Sequence, residues 1–148
     1  MKKHILLVDD DPGVRRSLTE VLITEGYSVF PAHDGQQAVE LAATTQVDLV
    51  LLDLNMPVKN GWDTFERLTT HNPLLPIIII TARPNQLFTA LGAGVGALLE
   101  KPLDIPKLLQ TLNSLLEESN EVRLERMAGH LAAFHYLPQR EEPWGINE

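Results

Sequence analysis

The sequence predicts an open, doubly wound α/β domain built on a five-stranded parallel sheet. Three observations carry the prediction. Apolar runs at 5–8, 48–52 and 76–81 are too continuous for a half-buried strand and read as strands covered on both faces. Helical spacing of apolar residues separates them, so a strand–helix unit repeats five times before residue 118. The runs also end alike, in a charged or hydroxyl residue: Asp9, Asp53, Thr81 and, after a shorter run at 97–100, Lys101. Alternating strands and helices imply right-handed crossovers, and five units are too few to close a barrel.

Each element has its own local cause. Asp11 as N-cap with Pro12 at the first helical position starts the first helix, and Val14, Leu18, Val21 and Leu22 form its apolar stripe up to Gly26. A more polar strand is expected at 27–31. Asp34-Gly35 opens a second helix carrying Ala38, Val39, Leu41 and Ala42. Asp53 to Gly61 is rich in turn formers, and a third helix over 62–70 stops at Asn72-Pro73. Pro84 opens a fourth helix that fades into Gly92, Gly94 and Gly96. After Lys101-Pro102 a fifth helix presents Ile105, Leu108, Leu109, Leu112, Leu115 and Leu116.

Composition narrows the function classes. The chain has 148 residues, 44% of them hydrophobic, a net charge of −8 and no cysteine. That charge opposes nonspecific binding to nucleic acid or an anionic membrane, and disulfides and thiolate metal sites are excluded. The apolar run after Lys2-Lys3-His4 is too short for a leader peptide, and no stretch is long enough to span a membrane, so a cytoplasmic protein is expected.

In an open parallel sheet, ligands bind beyond the carboxyl ends of the strands. Asp9-Asp10-Asp11, Asp53, Thr81 and Lys101 therefore share one crevice. Clustered carboxylates repel one another, and ionising them all at neutral pH requires a cation; hard oxygen donors supplemented by water suit Mg²⁺. A carboxylate beside such an ion can attack phosphorus, with a hydroxyl and an ammonium receiving the phosphoryl oxygens.

Val8-Asp9-Asp10-Asp11-Pro12, Leu52-Asp53-Leu54-Asn55-Met56-Pro57 with Gly61, Ile80-Thr81-Ala82 and Glu100-Lys101-Pro102 stand in the order and spacing of a known family. Over residues 3–117 the chain resembles the receiver domain of two-component response regulators. The resemblance implies the strand order 2-1-3-4-5 and makes Asp53 the acceptor of a phosphoryl group from a histidine kinase or histidine phosphotransfer protein. It implies that Mg²⁺ is held by Asp10, by Asp53, by the main-chain carbonyl of Asn55 and, through water, by Asp9. Thr81 would hydrogen-bond the phosphoryl group, Lys101 would pair with it, and Pro102 would follow a cis bond. Asn55 and Arg83 occupy positions that tune water access to the acyl phosphate. One departure stands out: Leu98 replaces the family's usual aromatic ring three residues before the Lys, so output is expected through the fourth helix and its Gly-rich exit.

Two rival functions are weighed on residues. An aspartate-nucleophile phosphatase of the haloacid dehalogenase type needs a second carboxylate two residues after the nucleophile, and Asn55 stands there. A degenerate receiver acting as a phosphorylation-independent interaction module is opposed by the full set of Asp10, Asp53, Thr81 and Lys101. The expected organisation is a receiver over 1–118 and a C-terminal helical extension with a polar tail over 119–148, read as a stand-alone regulator acting on a downstream protein partner. Ser119 or Asn120 would cap the extra helix. Leu124, Met127, Leu131 and Phe134 would form a stripe along it that either folds back on the domain or makes a homodimer seam, and Leu137-Pro138 would end it. The extension has no basic recognition helix for nucleic acid. His4, His33, His71, His130 and His135 show no metal spacing, and Trp62 fits either core or a partner contact.

Overall fold

The computed structural model describes residues 2–55, 61–83, 85–130 and 133–139. Met56, Pro57, Pro84 and Leu131, each singled out above, lie outside the described residues, as does Trp144 of the polar tail. The elements run β1 (His4–Val8), α1 (Pro12–Thr24), β2 (Ser28–Ala32), α2 (Gly35–Thr44), β3 (Leu49–Asp53), α3 (Gly61–His71), β4 (Ile77–Thr81), α4 (Leu87–Ala93), β5 (Ala97–Glu100), α5 (Ile105–Glu117), α6 (Asn120–Met127) and β6 (His135–Leu137). Every strand pairing is parallel, and the sheet order is β2-β1-β3-β4-β5-β6. The order reverses at β1, which has β2 on one side and β3 on the other. The ligand crevice of such folds opens there.

The continuous apolar runs mean what their pattern implied. In β1, Leu6 and Val8 face one core while Ile5 and Leu7 face the other; in β4, Ile77 and Ile79 divide from Ile78 and Ile80 in the same way. Ala38 of α2, Phe65 and Leu68 of α3 and Ala90 of α4 fill the first core. Leu18 and Leu22 of α1 and Leu108, Leu112 and Leu115 of α5 fill the second. The sheet is thus a middle layer covered on both faces, which brings its strand ends to one rim. Helix ends follow local rules: Asp11 accepts from the Gly13 and Val14 amides, and Asp34 accepts from Gln37. Gly26 takes φ +94° as α1 ends, with Tyr27 N–H reaching back to Leu22.

Two expectations are corrected. The fourth helix begins at Leu87, after a turn in which Asn85 takes φ +63°, rather than at Pro84. The sheet has six strands, because the C-terminal extension is a helix followed by a strand. α6, capped by the Ser119 hydroxyl, closes at Gly129 with φ +89°, where Gly129 and His130 donate back to Arg126 and Glu125. Phe134 is therefore not on the stripe of Leu124 and Met127: it packs into the first core, and His135 lies in β6. The stripe's spacing cannot distinguish a longer helix from this arrangement, and Gly129 is the residue that does.

Candidate functional site

Each candidate side chain stands where a strand stops. Asp9 follows β1, and its backbone is held twice: its N–H donates to Ala32 O at 3.1 Å and its carbonyl accepts from Arg15 Nη1 at 2.7 Å. Its carboxylate is buried, and Oδ1 accepts from the Asp11 N–H at 2.9 Å. Asp53 closes β3 and is only 3% exposed. Its oxygens are differentiated: Oδ1 accepts from the Asn55 N–H at 2.9 Å, and Oδ2 faces Lys101 Nζ at 3.4 Å. Behind it, a Cβ on Gly61 would fall 2.7 Å from Leu54 Cα, so only glycine lets α3 begin against the end of β3.

Thr81, fully buried at the end of β4, lies beside Glu100 in the β4–β5 register, and Lys101 N–H donates to its carbonyl at 2.9 Å. The Thr81 hydroxyl accepts from the Arg83 N–H at 2.8 Å. The peptide from Lys101 to Pro102 is cis, as the resemblance implied. Carboxylate oxygens of Asp9, Asp10 and Asp53 all lie within 4.8 Å of one another, with Asp10 the most exposed of the three. Asn55 contributes its N–H to Asp53, and its own Oδ1 is buried with no hydrogen-bond partner among the described residues.

Among the described residues three carboxylates face a single ammonium, an excess of negative charge in the crevice. The Asp9 carboxyl registers this, with a pKa pushed up to about 6: burial is the largest cause, the Asp53 and Asp10 charges add to it, and the Asp11 N–H and Lys101 oppose it. Closely spaced hard oxygen donors with unrelieved charge fit a small divalent cation, and the residues present fit Mg²⁺ on that chemistry. The sequence reasoning missed two residues that frame the site. Arg15, one helical turn into α1, pins the Asp9 carbonyl. Glu100, between Thr81 and Lys101, binds the C-terminal segment through the Gln139 N–H at 3.2 Å.

An open parallel sheet with an acidic crevice at its switch point, a buried hydroxyl and a facing lysine defines a class of phosphate-handling α/β domains. The match to the response regulator receiver domain over residues 5–113 narrows this, and the chain belongs to that family. It is 43% identical over 119 residues to the transcriptional regulatory protein CpxR of Escherichia coli K12, covering 78% of this chain and 50% of CpxR. It is 38% identical over 125 residues to GlrR of the same organism, covering 83% of this chain and 28% of GlrR. The chain thus spans half or less of these curated relatives. A CheY-like receiver domain protein from Methanospirillum hungatei superimposes with a TM-score of 0.77 at 28% identity, over 82% of this chain and 98% of that one. The response regulator TrrA of Thermotoga maritima, solved with Mg²⁺ and BeF, gives 0.71 at 28% identity, over 76% and 98%. The chain is therefore a signalling module of two-component systems. Among the described residues no helix is long and apolar enough to cross a membrane.

Proposed function

We propose that this receiver accepts a phosphoryl group on Asp53 from a kinase phosphohistidine and signals through altered protein–protein contacts. The observation that carries the reading is a buried acceptor carboxylate held from both sides, by the Asn55 N–H on one oxygen and by Lys101 on the other. A carboxylate oxygen of Asp53 attacks phosphorus. The P–O bond forms, the P–N bond breaks, and the electron pair leaves on the imidazole nitrogen. Lys101 holds charge on the incoming phosphoryl oxygens, and Thr81 donates its hydroxyl to one of them. Positioning and charge neutralisation are most of what phosphoryl transfer needs.

Mg²⁺, when bound by Asp10, Asp53, the Asn55 carbonyl and, through water, Asp9, would supply the positive charge that lets the dianionic group approach this crevice. The histidine donor must come close to Asp53. A shallow, largely apolar pocket of about 550 Å³ beside the crevice, lined by Val14, Leu18, Leu103 and Ile105 next to Lys101, offers the donor protein a surface. The downstream partner is a protein, and the exposed Leu124 and Met127 side chains of α6 offer an apolar surface for a second copy of the chain.

The test is incubation with acetyl phosphate and Mg²⁺, read by intact mass. A gain of one phosphoryl group is expected, abolished by EDTA and by Asp53→Asn. Unchanged labelling of Asp53→Asn would remove Asp53 as acceptor. Full labelling in EDTA would remove the metal.

A further inference from the structure

The family match ends at residue 113, and the M. hungatei receiver is covered almost end to end by 82% of this chain. α6 and β6 are therefore an addition to the shared fold, and they are bound into it at several places. Arg126, 4% exposed, makes a bidentate pair with Glu118 at 2.6 and 2.9 Å and donates to Ala133 O at 3.0 Å. The backbone of Met127 lies against Gly94, the residue that closes α4, where a Cβ would meet Met127 Cα at 3.3 Å. β6 pairs with β5 along its length, setting Tyr136 beside Leu98. Phe134 enters one core and Leu137 the other, so the segment wraps the rim of the sheet.

A last attachment reaches the crevice. Glu100 Oε1 accepts from the Gln139 N–H, and the Glu100 carboxylate also faces the Tyr136 hydroxyl, whose pKa is raised by burial first and then by its hydrogen bond to Glu100 and that residue's charge. Glu100 stands in register with Thr81, and the next residue, Lys101, donates its N–H to the Thr81 carbonyl. The three residues form one backbone unit: Lys101 faces the acceptor, Thr81 closes the neighbouring strand end, and Glu100 holds the strap.

We infer that the 119–139 segment is an autoinhibitory strap, closed over β5 when the crevice is empty of phosphoryl group and loosened when Thr81 and Lys101 close on one. The coupling rests on the proposed phosphoryl acceptance. Thr81 and Lys101 must move toward the incoming group to bond it, and Glu100 moves with them. β6 is only three residues long, and beyond its last pairing, Leu99 with Leu137, the chain is held by Glu100 through the Gln139 N–H, so a shift there loosens that end. The surface uncovered is the free edge of β5 together with the closing turn of α4. Leu98 then needs no ring of its own, because the neighbouring strand supplies Tyr136 on the same face of the sheet.

Coupling of this kind is reciprocal: whatever loosens the strap favours the occupied crevice by the same factor. The full chain is studied with Mg²⁺ and beryllofluoride, which stands in for the phosphoryl group. Binding is read by calorimetry and the strap by hydrogen exchange at residues 135–139. Beryllofluoride is expected to speed exchange there, and Tyr136→Phe to speed it without ligand while tightening beryllofluoride binding about fivefold. Gln139→Pro, which deletes the N–H donated to Glu100, should act in the same direction, with circular dichroism checking that both variants are folded. Binding with unchanged exchange and unchanged variant affinity overturns the strap and leaves phosphoryl acceptance standing. No binding of beryllofluoride overturns both.

Discussion

Two buried charge clusters divide this molecule. At the junction of α5 and α6, Glu118 is met by Arg126 through two short contacts and by Arg123 Nε at 3.7 Å. At the carboxyl end of the sheet, Asp9, Asp10 and Asp53 converge on one another with Lys101 Nζ 3.4 Å from Asp53. The first cluster has its carboxylate paired from within the chain and holds two elements together. The second is left in deficit, and the protein tolerates the repulsion because the layers on both faces of the sheet fix the strand ends. A compensated ion pair is a fastener. An uncompensated one, mounted rigidly, is a receptor for something positive.

The comparison can be broken at several points. The largest effect is expected at the fastener: Arg126→Met leaves the largely buried Glu118 with only the longer contact to Arg123 and should cost about 3 kcal/mol of unfolding free energy in urea. The double change Glu118→Leu with Arg126→Met should recover most of that loss, since two apolar side chains replace a pair whose desolvation was costly. If the double variant is as unstable as the single, the cluster is not behaving as a pair. At the receptor end, Lys101→Met should slow labelling by acetyl phosphate about 10²–10³-fold, as loss of one preorganised charge-stabilising group does, with little change in thermal midpoint.

A smaller effect of opposite sign is expected at Asp9. Its folded pKa, about 6, lies above the unfolded value of 3.8, so the native state binds the proton more tightly than the unfolded chain does. Stability from this group is fully present below about pH 4 and is lost as pH rises through 6. Without metal, Asp9→Asn should therefore stabilise the protein at pH 7–8 by about 1–3 kcal/mol. The gain should shrink as pH falls from 6 toward 4, and denaturant melts across that range measure it. Mg²⁺ should raise the wild-type midpoint and narrow its gap to Asp9→Asn. A variant less stable than wild type at pH 8 without metal would contradict a repulsive crevice.

The sheet and its crevice were legible because their signals are redundant. The run Leu49 to Leu52 can be satisfied only by apolar cover on both sides, and a strand so covered must present its polar end, Asp53, at the rim. Three further strands repeat that logic and bring Asp9, Thr81 and Lys101 to the same rim. Asp11 was legible as a cap from Pro12 alone. The C-terminal strand was not legible in this way. His135-Tyr136-Leu137 is too short to show a period, and its hydrogen bonds are made to a strand almost forty residues earlier. Leu124 and Met127 carried a helical spacing that Leu131 and Phe134 happened to continue. Gly129 in positive φ ends the helix, and a glycine followed by a polar residue was the one local sign of it. The roles of Arg15 and Glu100 were hidden for another reason: each acts through a backbone atom of a distant residue, and side-chain chemistry does not announce that.

The cover that β6 provides also bears on solubility. A parallel sheet ending at β5 would present a row of unpaired N–H and C=O groups, a template on which a second chain can add and a third can follow. A chain shortened to residue 113, where the family match ends, would lose Leu115 from the core and Arg126 from the junction together with that cover. Such a fragment would be prone to aggregate, not merely to lose its regulator. In the folded chain β6 thus covers the β5 edge before any signal arrives.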